Sequence, residues 1–199
     1  MNAWKVSLAA KGQHTSLMAA PAVQFAGSGN FAGSVSVLGK LMDEVIVPSD
    51  FATAVMQNWL SIFFRPEQEV GTGGSVWVDG PDSFDFGAAC QVRHLPAYYY
   101  SSFNVAASRT ENGTLTLPLP FVGTAACTGV QASSKAFSFN RAKVGLKTAL
   151  YSWVRYGFQL QVTNSRSYYS QEQHQWHIWT YSPTGKPLDG SFHSVRLNA

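Results

Sequence analysis

The sequence predicts an all-β fold in which two antiparallel sheets pack as a sandwich or close as a barrel. Three observations predict it. Short segments that alternate apolar and polar residues recur along most of the chain, bounded by turn residues. Aromatic residues make up 14% of the chain and charged residues only 13%, against roughly 25% charged in an average domain. Seventeen Gly and nine Pro supply turns between the segments. Strands do not alternate with helices, so a parallel α/β sheet is not expected. At 199 residues the chain suits one compact domain with a full core of its own. About eight strands separated by long loops predict an antiparallel eight-stranded jelly roll with one or two short helices.

Residues 1–30 are small and polar, with isolated apolar positions, and end in Gly27-Ser28-Gly29-Asn30. They predict an extended arm that orders against a partner, and residues 31–199 form the single jelly-roll domain. Val35 and Val37 alternate with serines, and Val45-Ile46-Val47 precedes Pro48. A helix is expected over Ser49 to Leu60, where Ser49 or Asp50 would cap and Phe51, Val55 and Trp59 share one face. Ile62-Phe63-Phe64 reads as a buried strand stopped by Pro66. Ser75-Val76-Trp77-Val78 lies between glycine-rich turns, and further strands are expected over Phe84 to Val92 and Tyr98 to Val105. Thr114 to Leu119 is the cleanest alternation, with its leucines on one side. Pro118 within it implies a sheet edge or a bulge. After a short segment at Ala136 to Phe139, Phe158, Leu160 and Val162 alternate with Gln159, Gln161 and Thr163 as a half-buried strand. Gln175 to Tyr181 closes the series with bulky residues on both faces, so both should be covered.

No run of about 20 mainly apolar residues is present, so no membrane span is expected. Met1 to Ala20 has no compact apolar block behind a basic start, so it does not read as a secretory leader. Cys90 and Cys127 do not make a disulfide scaffold and suggest buried thiols in a reducing compartment. Asn112-Gly113-Thr114 reads as a turn. The net charge of +3 is uneven: residues 1–111 carry six Lys or Arg against nine acids, and residues 112–199 carry eight against two. No acid occurs between Lys135 and Arg166. Scattered charges usually form a solvated face, but Lys135, Arg141, Lys143 and Lys147 are the candidates to face RNA. Without an Arg-rich arm, that contact is expected to be weak and indifferent to sequence.

His174 and His177 are spaced i, i+3, which places them on opposite faces of a strand and argues against a shared metal. Asp79, Asp82 and Asp85 bracket a turn but match no calcium loop; calcium shared with a neighbouring chain is the minority reading. Cys90 and His94 invite a nucleophile–base pair, yet buried cysteines are common and no glycine-rich signature surrounds this one. Neither glycine-rich stretch carries a phosphate-binding lysine. No catalytic, cofactor-binding or metal-binding residues are therefore expected, and no enzyme.

Asn112 to Gly123, NGTLTLPLPFVG, resembles the proline-containing strand that precedes a long loop in picornavirus-like capsid proteins. Phe158 to Asn164 and Gln175 to Tyr181 are similar to the last two strands of those jelly-roll subunits, and the plant secovirids of the comovirus and cheravirus group are the nearest in style. The resemblance covers roughly the C-terminal half. It implies a structural coat subunit of a small non-enveloped icosahedral RNA virus, assembled in the host cytoplasm and resident in the virion. Its partners would be other capsid subunits and, weakly, genomic single-stranded RNA, with no membrane. The alternative from the residues themselves is a lectin-like β-sandwich that binds carbohydrate, with Tyr98-Tyr99-Tyr100 and Tyr168-Tyr169 as stacking platforms.

Overall fold

The computed structural model describes residues 38–50, 52–81, 83–97, 116–121, 123, 126–131, 138–166, 175–191 and 195–196. The expected arm over residues 1–30, the strand at Tyr98 to Val105, and Ala136 and Phe137 of the short segment ending at Phe139 lie outside the described residues. The chain divides into two units, Met1–Ser36 and Val37–Ala199, and all described residues belong to the second.

The described residues form twelve strands. In chain order they are β1 (Gly39–Lys40), β2 (Met42–Pro48), β3 (Asn58–Arg65), β4 (Ser75–Asp79), β5 (Val92–Arg93) and β6 (Thr116–Pro118). There follow β7 (Cys127–Val130), β8 (Arg141–Gly145), β9 (Arg155–Val162), β10 (Gln175–Tyr181), β11 (Pro187–Gly190) and β12 (Val195–Arg196). They make a seven-stranded sheet, ordered β1-β11-β10-β4-β8-β7 with β12 also on β10, and a five-stranded sheet, ordered β2-β3-β9-β5 with β6 also on β9. All pairings are antiparallel except β1 with β11 and β6 with β9. The all-β sandwich is therefore the fold. Strands β3, β4 and β5 change sheet at each step, and so do β8, β9 and β10, which is how a jelly roll winds. The strand count exceeds eight because several pairings are only two or three residues long.

Period-two alternation builds the core between the sheets. Leu60, Ile62 and Phe64 of β3 and Phe158, Leu160 and Val162 of β9 meet Val76 and Val78 of β4, Ala142 and Val144 of β8, and Trp176 and Ile178 of β10 in one buried cluster. Burying a side chain of this size stabilises by about 1.5–3 kcal/mol. Trp176 packs edge-on to Phe84, with ring centroids 4.9 Å apart. Strand β9 is more deeply buried than its alternation suggests, because Gln159 on its outer side is also covered. Gln159 donates to Ser61 Oγ at 3.0 Å and accepts from Arg93 Nε at 2.8 Å. Leu95 crosses Gly157 so closely that a Cβ there would meet its Cδ1.

The helix expected over Ser49 to Leu60 is not formed. Asn58 begins β3 instead, and its side chain claims the backbone that a helix would use. Asn58 Nδ2 donates to the Asp50 carbonyl at 2.7 Å and to Asn164 Oδ1 at 2.8 Å, while its Oδ1 accepts from the Asp50 amide at 3.0 Å. Asn164 in turn donates to the Ala52 carbonyl at 2.8 Å. Ala54 sits at φ 59°, outside helical geometry. Hydrogen bonds to the Asn pair thus replace i to i+4 bonds, and the period-3.6 pattern of Val55 and Trp59 is incidental.

Phe84 to Val92 is also not a continuous strand. Asp85 makes an isolated bridge to Thr163, its carboxylate accepts from the Gly87 amide at 2.8 Å, and pairing resumes only at Val92. Thr116, not Leu117, faces inward in β6, and Leu117 is exposed while Leu119 is buried. Pro118 does lie on an outer strand, as its missing N–H requires.

Cys90 and Cys127 are bonded to each other, so the expectation of two free buried thiols is corrected. Cys90 precedes β5 in one sheet and Cys127 opens β7 in the other, with Cα atoms 5.2 Å apart. Next to the bridge, residues 87 and 88 pass directly over Gly129, whose amide donates to the Ala88 carbonyl at 2.9 Å. A side chain at Gly129 has no room. Closing a loop of 37 residues stabilises by about 4 kcal/mol in the chain-entropy account. Replacing both cysteines by serine is expected to lower the unfolding free energy by about 2–4 kcal/mol, read as a lower urea midpoint. Thiol titration of the unfolded, unreduced protein should find none; two thiols per chain would refute the bridge.

Candidate functional site

Side chains at alternate positions of β10, β4 and β8 point away from the core and form the outer face of the seven-stranded sheet. The register aligns them in rows. One row runs Trp179–Trp77–Lys143, and the next runs His177–Asp79–Arg141. Tyr181 completes the aromatic stripe, its ring 4.4 Å from that of Trp77. The Arg141 guanidinium lies 5.1 Å and the Lys143 ammonium 5.5 Å from the Trp77 ring centroid. Trp77 thus has an aromatic ring and two cations gathered around it. Its Nε1 donates to Ser75 Oγ at 2.8 Å.

Both carboxylate oxygens of Asp79 accept from Arg141, one at 2.7 Å from Nη2. That fork holds the guanidinium charged and raises its pKa further above the ordinary value, despite partial burial. Burial raises the Tyr181 hydroxyl, against the pull of Arg141. Lys143 is exposed and makes no ion pair among the described residues. Trp179 is half-buried. A Cβ on Gly190 would collide with its six-membered ring, so the indole lies over the bare backbone of β11.

The sequence candidates separate here. Arg141 and Lys143 project side by side from β8, as a strand dictates, while Lys147 is exposed beyond its end and Lys135 lies outside the described residues. His177 lies on β10 and His174 outside the described residues; no group of three metal-ligating side chains occurs among the described residues. Asp79 is committed to Arg141 and Asp85 to the backbone amides of Gly87 and Phe139, which leaves no calcium loop there; Asp82 lies outside the described residues. The Cys90–His94 pair is overturned by the disulfide, and His94 instead stacks on Phe121 at 4.4 Å. Both tyrosine platforms lie outside the described residues. Sequence reasoning did not group Trp77, Trp179 and Tyr181, although bulky residues at the outward positions of β4 and β10 were the available signal.

A second polar cluster closes the edge where β1 and β11 meet. The buried Asp189 carboxylate accepts from Thr180 Oγ1 at 3.1 Å and from the Gln68 amide at 3.3 Å. Gln68 Nε2 donates to the Leu188 carbonyl at 2.6 Å, and Glu67 accepts from the Lys40 amide at 2.8 Å. Burial raises the Asp189 pKa against these hydrogen bonds. Glu44, in the bulge of β2 next to Asp43 at φ 52°, is pushed up to about 7 by burial, opposed by a Ser191 hydrogen bond and by Lys40. These contacts tie the edge together.

A scan against protein-family models returns no match to this chain, and a search of curated proteins returns none either.

Native Glu44 holds its proton more tightly than the unfolded chain, whose carboxyl titrates near 4.5. The stability it contributes is therefore complete below that value and lost as pH rises through about 7. Glu44→Gln is expected to leave stability unchanged in acid and to raise it relative to the parent protein above neutrality. Urea midpoints on either side of the window check this; parallel pH profiles would count against a buried Glu44.

Proposed function

We propose that this chain is a structural subunit of a protein shell that encloses single-stranded RNA, a capsid protein of the picornavirus-like kind. The observation that carries the reading is the placement of its exposed apolar side chains. Tyr151 and Trp153 are 64% and 55% exposed, and with Leu117 they gather where β9 begins. Met56, 77% exposed, lies where β9 ends, and Val45 and Val47 line the outer strand β2 in the rows of Gly157 and Gln159. Apolar groups at both ends of β9 and along the outer strand β2 fit a subunit that meets more than one neighbour, through the head-to-tail contacts from which rings and closed shells are made. The interleaved two-sheet winding supports the same reading, as do the C-terminal strands that resemble such subunits. Its work is assembly rather than catalysis, and its place is the virion, built in the host cytoplasm from this and other capsid subunits.

The carbohydrate-binding alternative draws support from Trp179, which offers an aromatic surface of the kind sugars stack on. It is the weaker reading, because the carboxylate of that face, Asp79, is already paired with Arg141.

Electron microscopy and sedimentation of native material are expected to show large closed particles that contain this chain. A persistent 21.7 kDa monomer at high concentration would refute the reading. Val47→Asp and Trp153→Asn should abolish particles while changing subunit stability by no more than about 0.5 kcal/mol, the range of ordinary surface substitutions.

A further inference from the structure

We propose that the outer face of the seven-stranded sheet is the RNA-binding face, stacking a base on Trp179 and setting a phosphate against Lys143. The proposal rests on the shell reading for its partner and adds the surface, the residues and the mode of contact.

Three features carry it. Trp179 lies over the Gly190 backbone and is only half-buried, so part of its indole stays open to solvent on this face. Trp77, its neighbour in register, is less available, because Tyr181, Arg141 and Lys143 already crowd its ring. Lys143 follows Trp77 in the same row, exposed and without an ion pair among the described residues. Trp179 and Lys143 are therefore two strand spacings apart, about 10 Å, a span that a nucleotide and its neighbouring phosphate bridge.

What the face lacks decides between ligands. A sugar is recognised through hydroxyl groups, which need free hydrogen-bonding partners beside the aromatic ring. Here Ser75 Oγ accepts from Trp77 Nε1, and both Asp79 oxygens accept from Arg141. The one carboxylate of these rows is thus neutralised where it stands. A π surface, the His177 ring and a positive charge remain, with no free carboxylate among them, which match a base and a phosphate better than a sugar. A purely structural role for Trp179, covering a strand glycine, predicts no effect on RNA.

The test measures fluorescence anisotropy of the full chain with a labelled oligouridylate of about twelve nucleotides, a length within known single-strand site sizes, and with a neutral oligosaccharide. Trp179→Leu keeps an apolar cover over Gly190 and should weaken oligouridylate binding about tenfold. Lys143→Gln should weaken it about threefold and reduce the salt slope by about 0.7, the share of one phosphate on a single strand. Trp179→Phe, which restores a ring, should recover most of the loss. Unchanged binding in both Trp179→Leu and Lys143→Gln, or binding of the oligosaccharide in place of RNA, would overturn the proposal. Particle formation, followed separately, keeps the two readings apart. Particles with unaltered RNA binding in both variants defeat this face alone. RNA binding lost in both variants, with no particles from native material, upholds the face and defeats the shell.

Discussion

Strand β9 must satisfy both its edges and both its faces at once, and the rest of the five-stranded sheet follows from that requirement. A buried backbone group without a partner costs as much as a lost hydrogen bond. One edge of β9 pairs with β3 from Asn58↔Val162 to Phe64↔Tyr156. The other edge is shared end to end by β6 and β5, which meet it at residues 155–157 and 159–160. Its inner face supplies Phe158 and Leu160 to the core, and its outer face is covered by Arg93, Phe63 and Leu95. Arg155 shows what such burial demands: its guanidinium lies 4.8 Å over Phe63, and desolvation lowers its pKa. A strand closed in on four sides cannot slip in register without exposing its whole core face.

The seven-stranded sheet is built differently, since its outer face stays half open. The side chains there stabilise one another instead of being covered. Trp77 collects Tyr181, Arg141, Lys143 and Ser75, and Arg141 collects Asp79. Cross-strand pairs of this kind each contribute roughly 0.2–1 kcal/mol. Their larger consequence is chemical. Polar groups that satisfy one another inside the protein are withdrawn from any ligand, so the face presents flat rings and unpaired charge.

How far the sequence spoke depended on the distance over which each signal acts. Gln175 to Tyr181 is a strand with the bounds its alternation predicts, because period two is local and Trp176, Ile178 and Thr180 share the buried side. Ser75 to Val78 and the outer position of Pro118 were legible for the same reason. Ser49 to Leu60 was misread because the deciding partner, Asn164, is 106 residues from Asn58. The disulfide was missed because a separation of 37 residues says nothing about Cα distance until β5 and β7 are in place. Of the candidate site, Arg141 and Lys143 were found as a charge run. The aromatic stripe was not, since its members come from two strands that only the register sets side by side.

The two sheets thus offer two kinds of surface, and the difference bears on how a shell subunit would work. Most of the exposed apolar groups, Leu117, Tyr151, Trp153, Met56, Val45 and Val47, lie around the five-stranded sheet, where contact with another protein would remove them from water. The open rings and the unpaired lysine lie on the seven-stranded sheet, where a charged and flexible polymer can be met without burying carboxylates. Because the surfaces share no residue, occupation of one does not block the other. Protein–protein burial is largely insensitive to salt, whereas phosphate contacts weaken as salt rises. A shell subunit arranged in this way would hold its neighbours through the apolar groups and its nucleic acid through the basic face, so raising salt would loosen the second before the first.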